Sequence, residues 1–325
     1  MPRFIAKNYL LFLMGAACLL LAFVLPYFEA TENTAKFFTA DNGQNVARRI
    51  SAVTVVAVGE MLVILTGGID LSVGGVAALS QVVTGHAIKV WGWGVFPGML
   101  LGIAAGLACG VVNGVLVTKG RIPPFIVTLG MMLATRGAAL GLTGGSRFGG
   151  FPDSFKLLGG GGTVERWWIP FVAMGAVVVL FAVLLNFTRF GREVYATGGN
   201  LTGARLSGID VDRVRLGAYA LAGTLAGFGG LMLASRSGVC DPTSGDGWEL
   251  DAIAACVVGG ASLLGGEGGA FGALLGALII GVLMNLCQLN SMPNEWQRVF
   301  IGVLIIALVF VDNIRKRRSG KLKDG

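Results

Sequence analysis

Residues 90–118 run for 29 positions without a charged side chain, and glycine returns at every fourth place among them: Gly94, Gly98, Gly102, Gly106, Gly110 and Gly114. A span this long and apolar has no place in a water-soluble domain, whereas about 20 such residues cross the hydrocarbon core of a bilayer. Small residues four apart leave a groove along a helix that lets a second helix approach closely, the main way helices pack in lipid. The chain therefore reads as an all-α, polytopic membrane protein that works inside the bilayer.

Composition agrees. Charged residues make up only 13% of the 325 and hydrophobic ones 54%, against about 25% charged residues in soluble domains. The five cysteines (Cys18, Cys109, Cys240, Cys256, Cys287) include no CxxC pair, and His86 is the single histidine. Neither a disulfide framework nor a metal site is expected, and no cofactor. The net charge of +7 raises nucleic acid as a partner, but Arg315, Lys316, Arg317, Arg318, Lys321 and Lys323 directly follow the last apolar span. That is where a cytoplasmic flank belongs, so nucleic acid is set aside and membrane lipid is the expected surrounding.

Ten candidate spans follow from hydropathy, at about 8–28, 48–67, 71–88, 95–117, 123–142, 167–187, 213–235, 248–264, 269–289 and 296–312. The first is charge-free over 21 residues, too long for the core of a cleaved signal peptide. Ten spans put both termini on one side. With both in the cytoplasm, 15 of the 25 basic residues fall on inner segments, the bias the positive-inside rule requires. The expected topology is multi-pass with both termini in the cytoplasm.

At an offset of 170, Gly102 aligns with Gly272, Gly106 with Gly276 and Pro123 with Pro293. Gly102, Gly106, Gly110, Gly272 and Gly276 are thus the candidate helix-packing residues. The whole chain, 1–325, reads as one transmembrane domain with pseudo-repeats at about 48–142 and 213–312. Spans five apart run in opposite directions, so the halves are inverted, an arrangement used by transporters with the solute path near the repeat interface.

Ionisable groups inside a bilayer are costly and normally face protein or water. Glu60 lies midway along the second span. Asp70 follows Gly67 and Gly68, which tolerate the left-handed backbone that unwinds a helix. Asp70 is placed to cap the next helix or to line a solute path at a broken helix end. Glu249 and Asp251 fit the positive end of a helix dipole. Asn113 and Asn285, in the two Gly-rich spans, suit either a bond to another helix or a contact to a hydroxylated solute. Glu60, Asp70, Asn113, Asn285, Glu249 and Asp251 are the pathway candidates. The tryptophan pairs Trp91/Trp93 and Trp167/Trp168 sit at span ends, as an aromatic belt requires. Between the sixth and seventh spans, over 188–212, Asn200 can cap a short helix at Leu201 to Leu206 that Ser207-Gly208 stops. This is either a plain connector or a knob for another protein.

The stretches Thr66-Gly67-Gly68-Ile69-Asp70-Leu71-Ser72-Val73-Gly74, Thr188-Arg189-Phe190-Gly191, Gly198-Gly199-Asn200, Leu206-Ser207-Gly208-Ile209 and Glu249-Leu250-Asp251-Ala252-Ile253-Ala254-Ala255 strongly resemble the ribose-type permease subunits of bacterial ABC sugar importers, over about 45–313. Val257-Val258-Gly259-Gly260 and Val311-Asp312-Asn313 fit as well. The resemblance implies a ten-helix permease of the bacterial inner membrane that pairs as a homo- or heterodimer. It implies a periplasmic binding protein that delivers a monosaccharide and a separate cytoplasmic ATPase that drives the cycle. It places a coupling helix at 194–208, with Asn200, Arg205 and Gly208 as contact candidates. Two departures stand out: the loop 144–166, with Gly159 to Gly162 in a row, does not match the ribose-type pattern, and Asn294-Glu295-Trp296-Gln297 is closer to relatives that carry furanose-form sugars.

The chain has no phosphate-binding Gly-x-x-x-x-Gly-Lys-Ser/Thr loop, which places ATP hydrolysis on another subunit. The rival reading is an ion-coupled secondary transporter with Glu60 as its proton or sodium site. An intramembrane enzyme is disfavoured, because no HExxH occurs and His86 sits at a span end.

Overall fold

The computed structural model describes residues 36–160 and 166–293, together with residues 295–297, 299, 301–303, 306 and 310. The expected first span at 8–28 and the basic tail lie outside the described residues. Eleven helices and one two-residue strand pair follow in order: α1 (Ala40–Leu65), α2 (Val73–Lys89), α3 (Val95–Thr118), α4 (Pro124–Thr143), β1 (Phe148–Gly149), α5 (Asp153–Lys156), α6 (Trp168–Phe187), α7 (Arg189–Gly199), α8 (Leu201–Leu206), α9 (Val211–Ser237), β2 (Val239–Cys240), α10 (Trp248–Val258) and α11 (Ala270–Leu289).

The helix ends follow from local chemistry. Thr39 accepts from the Asn42 amide at the start of α1, Thr188 from Gly191 at α7, and Asp210 from Arg213 at α9. Each satisfies one of the amides a helix start leaves unbonded. Gly144 and Gly238 end α4 and α9 in the left-handed conformation. Helices α3, α4, α6, α9 and α11 are long and apolar enough to cross a membrane.

Helices α1 and α9 form the centre. From Ile50 to Leu65 all but one residue of α1 is buried, the condition of a helix enclosed on every side. It packs on α9, α11, α10 and α6, while α9 also packs on α3 and α2. The α3–α9 contact is backbone on backbone. A methyl group placed on Gly106 would lie 2.5 Å from the Gly223 carbonyl oxygen and 3.1 Å from Gly227 Cα, and one on Gly110 would meet Tyr219 and Ala220. Gly102 faces Ser80 and Thr84 of α2, and Gly276 faces Ala255 of α10. Helices α4 and α6 turn Phe125, Ile126, Leu133, Phe171, Val179 and Leu180 outward, as lipid-facing surfaces do.

Two ends of the bundle differ. At one, β1 pairs antiparallel with β2, over a cluster of Phe151, Phe155, Ala234 and Cys240; this is the strand-pair end. At the other, α7 lies against the end of α1, where Gly198 approaches Leu65 and Gly266, and α8 packs on α7 and α9; this is the α8 end. Trp91 and Trp168 are exposed at helix ends.

One expectation is corrected and one is extended. The span expected at 248–264 is a helix of only 11 residues that stops at Val258, about 16 Å of rise against a hydrocarbon core of about 30 Å. Glycines bring this about: Gly245 and Gly247 before α10, and Gly260, Gly265, Gly266 and Gly268 after it, all have positive φ. The short helix expected at 201–206 is present but is preceded by a second one, α7, so residues 189–206 form a helical pair broken at Asn200.

Replacing Gly106 by Leu inserts a side chain where a carbonyl already sits. The expected result is loss of monodisperse folded protein, since overpacking costs about 1–3 kcal/mol or more. Gly175→Leu on α6, where nothing lies within 4 Å of the added group, is the matched control and keeps wild-type yield in size-exclusion chromatography.

Candidate functional site

After Leu65 the chain leaves the helix through Gly67, at φ 78°, and folds back before α2 begins. The Gly67 and Gly68 amides still donate to Ile64 and Val63. Arg215 from α9 donates to the Thr66 carbonyl at 3.2 Å, and Thr128 from α4 donates to the Ile69 carbonyl at 3.3 Å. The break thus has most of its polar groups bonded, as non-helical backbone at membrane depth requires.

Within this break the Asp70 amide donates to Glu60 Oε1 at 3.0 Å. Asp70 Oδ1 accepts from the Ser72 amide at 2.8 Å and from the Ser72 hydroxyl at 2.6 Å. Asn113 Nδ2 donates to Ser72 Oγ at 2.9 Å. Glu60, Asp70, Ser72 and Asn113 are at most 1% exposed. Asp70 therefore does not cap α2: Ser72 is the residue at that position and makes no side-chain cap. Asp70 closes a turn two residues long instead, because the Ser72 amide precedes α2 and has no acceptor within the helix.

A second break precedes α10. Asp241 Oδ1 accepts from the Thr243 amide and hydroxyl, and Arg147 lies 3.9 Å from Oδ2. Partial burial pushes the Asp241 carboxyl up, but Thr243 with Arg147 and Arg136 outweighs it and holds the group below its usual range. Arg136 crosses from α4 to donate to the carbonyls of Pro242 and Ser244. The two breaks meet. A methyl group on Gly74, at the start of α2, would lie 2.5 Å from Glu249 Oε2 and against the Gly245 carbonyl. Glu249 and Asp251 occupy the first turn of α10, where its dipole favours negative charge.

Glu60, Asp70 and Asn113 are thus brought together, and Glu249 with Asp251 stands at the second break. Asn285 is elsewhere: it exchanges two amide hydrogen bonds with Asn42, at 2.8 and 2.9 Å, and so joins α11 to α1. At the α8 end, Asn200 accepts from the Gly203 amide. Arg205 is paired with Asp212 at 3.5 Å and exposed, Gly208 turns the chain at φ 80°, and Leu206 is 84% exposed. Hollows of about 520 and 530 Å³ flank α8, one lined by Arg121, Arg205, Asp212 and Arg215, the other by Arg189, Glu193, Gly208 and Arg213.

Sequence reasoning passed over Tyr219, Arg136 and Arg215. Tyr219 is wholly buried on α9 and has its hydroxyl against Gly68. A single charge within an apolar span, as at Arg136, is itself a sign of a polar partner. Arg215 read only as part of an inner basic flank.

Residues 43–309 match the sequence profile of the family described as branched-chain amino acid transport system / permease component. The chain belongs to this family. It is a multi-pass membrane permease, a transporter subunit rather than an enzyme. Its relatives include the ribose import permease protein of Escherichia coli (strain K12), 42% identical over 284 residues that cover 85% of this chain and 87% of the relative. The ribose import permease protein of Bacillus subtilis (strain 168) is 41% identical over 82% of this chain and 83% of its own length. The autoinducer 2 import system permease protein of Yersinia pseudotuberculosis (serotype O:1b) is 38% identical over 79% of this chain and 73% of its own length. No solved structure matches the chain.

Asp70→Ala leaves the Ser72 amide and hydroxyl buried without an acceptor. The expected loss is about 1–3 kcal/mol per stranded donor, read as a lower midpoint in detergent unfolding, with Asp70→Asn intermediate because its amide oxygen still accepts.

Proposed function

We propose that this permease is the membrane subunit of an ATP-driven importer of a monosaccharide, taking sugar from a periplasmic binding protein and powered by a separate ATPase. The observation that carries this reading is the extent of the likeness to the ribose import permease of Escherichia coli, 42% identity across 85% of this chain and 87% of that one.

The bundle is built of two inverted halves within one domain, in which α10 is a short helix that does not cross by itself. Support comes from the helix starts, which recur from Ala40 to Val211, from Val73 to Trp248 and from Val95 to Ala270. The packing recurs too: α3 lies on α9 and α2, as α11 lies on α1 and α10. The breaks at 66–72 and 241–247 fall between corresponding helices and face the sugar path, which inverted-repeat transporters place at such discontinuities. Glu60, Asp70 and Asn113 hold the first break in shape, and Glu249 and Asp251 line the second. Asn285 serves helix association.

The strand-pair end faces the periplasm and the α8 end the cytoplasm, with both termini inside. The ATPase receives α8 through Leu206, Arg205 and the chain around Gly208, with the two hollows beside it taking the rim of the partner. A second permease chain completes the assembly. ATP binding switches access by favouring one of two arrangements of the halves.

Reconstitution tests this directly. In proteoliposomes, labelled pentose uptake is expected to require the binding protein, the ATPase subunit and ATP; uptake driven by a proton or sodium gradient alone overturns it. Arg205→Glu sets like charge against the partner, so uptake should fall at least about tenfold while the permease stays folded and ATP hydrolysis persists. Unchanged coupling removes Arg205 from the contact.

A further inference from the structure

The cluster at the α1–α2 break has acceptors that nothing in the protein serves. Two carboxyl groups, Glu60 and Asp70, lie side by side with at most 1% exposure. The Asp70 amide goes to Glu60 Oε1, and both Ser72 donors go to Asp70 Oδ1. Glu60 Oε2, Asp70 Oδ2 and Asn113 Oδ1 are buried with no donor, and the Tyr219 hydroxyl, also buried, has no partner.

Neither carboxyl has an ion-pair partner: none of the ion pairs among the described residues includes Glu60 or Asp70. Arg215 of α9 stands at the edge of the break, where it donates to the Thr66 carbonyl and its charge bears on Tyr219, but it forms no ion pair with either carboxyl. The other groups that face the pair are neutral donors or weak acids: Cys109 on α3, Cys256 on α10 and Tyr219 on α9, with Thr128 on α4 turned to backbone carbonyls. Two uncompensated buried carboxylates cost several kcal/mol each, and one bound positive charge removes most of that cost.

We propose that Glu60, Asp70, Asn113 and Tyr219 form a binding site for one monovalent cation, a proton or an alkali-metal ion, at the joint of α1, α3 and α9. The free atoms are all oxygen, the ligand type hard cations select, and they are too few for calcium, which takes 6–8 oxygens. A proton placed between the carboxyls, or an ion held by the same oxygens, gives the stranded acceptors their partner and ties the break to three helices. The site does not depend on which solute the permease carries.

The test reads stability, so it stands apart from transport. The full chain in lipid nanodiscs is unfolded thermally in two series: sodium chloride exchanged for choline chloride at constant ionic strength, and pH varied from mildly acid to mildly alkaline. Because the cation binds the folded chain more tightly than the unfolded one, the wild-type midpoint is expected to rise by a few degrees with sodium if the ligand is an alkali-metal ion, or as pH falls if it is a proton. Glu60→Gln removes one charge and supplies amide donors, so its midpoint is expected to be flat in the series to which the wild type responds. Asp70→Asn is the second variant should Glu60→Gln fail to fold. A wild-type midpoint that is flat in both series overturns the site, and so do variant curves that run parallel to the wild type.

Discussion

Where α3 crosses α9, Gly106 and Gly110 face Gly223 and Gly227 so closely that no side chain fits between the two backbones. In lipid the hydrophobic effect does not drive one helix onto another, so association depends on dispersion contacts and on interhelical hydrogen bonds. Both grow steeply as backbones approach. The crossing therefore sets the distance between the centre of the bundle and its flank, and the rest of the packing is adjusted to it. Ser80 and Thr84 of α2 reach Gly102 on the same face of α3, where Leu231 of α9 also lies, so three helices are gathered by one glycine-lined edge.

That tight frame permits two interruptions of regular helix at membrane depth. Unbonded peptide groups facing lipid would cost several kcal/mol each. At 66–72 the cost is avoided by Arg215, Thr128, Asp70 and Asn113, drawn from four different parts of the chain. At 241–247 Arg136 and Asp241 serve the same purpose. A break held by side chains from several helices is also a place where small shifts of those helices are felt together. Helix α7 packs on the end of α1, from which the first break starts, and the exposed α8 follows directly after it.

Much was legible in the residues themselves. The charge-free run with glycines four apart identified a packed membrane helix, and Asn200 with Ser207-Gly208 marked the ends of α8, because caps and stops are local chemistry. The polar residues of the apolar spans were legible one by one, since such residues are few there. Their pairing was not. Asn113 and Asn285 occupy like positions in two glycine-rich helices, yet one bonds Ser72 and the other Asn42. Which partner each meets depends on the helix rotation fixed by tertiary packing. Hydropathy likewise read 248–264 as a span, since apolar content alone does not register the positive φ that Gly245, Gly247 and Gly260 adopt around α10.

By itself the sequence determined that the chain is a bundle of apolar helices packed through glycine, because the cost of charge in hydrocarbon and the size of a side chain are properties of the residues. It also determined where helices are able to start and stop. Only the tertiary structure decided that the two breaks meet at Gly74, that Glu60 and Asp70 share one dry site, and that Tyr219 closes it. These contacts join positions up to about 175 residues apart, and their geometry exists only once the backbones have closed on one another.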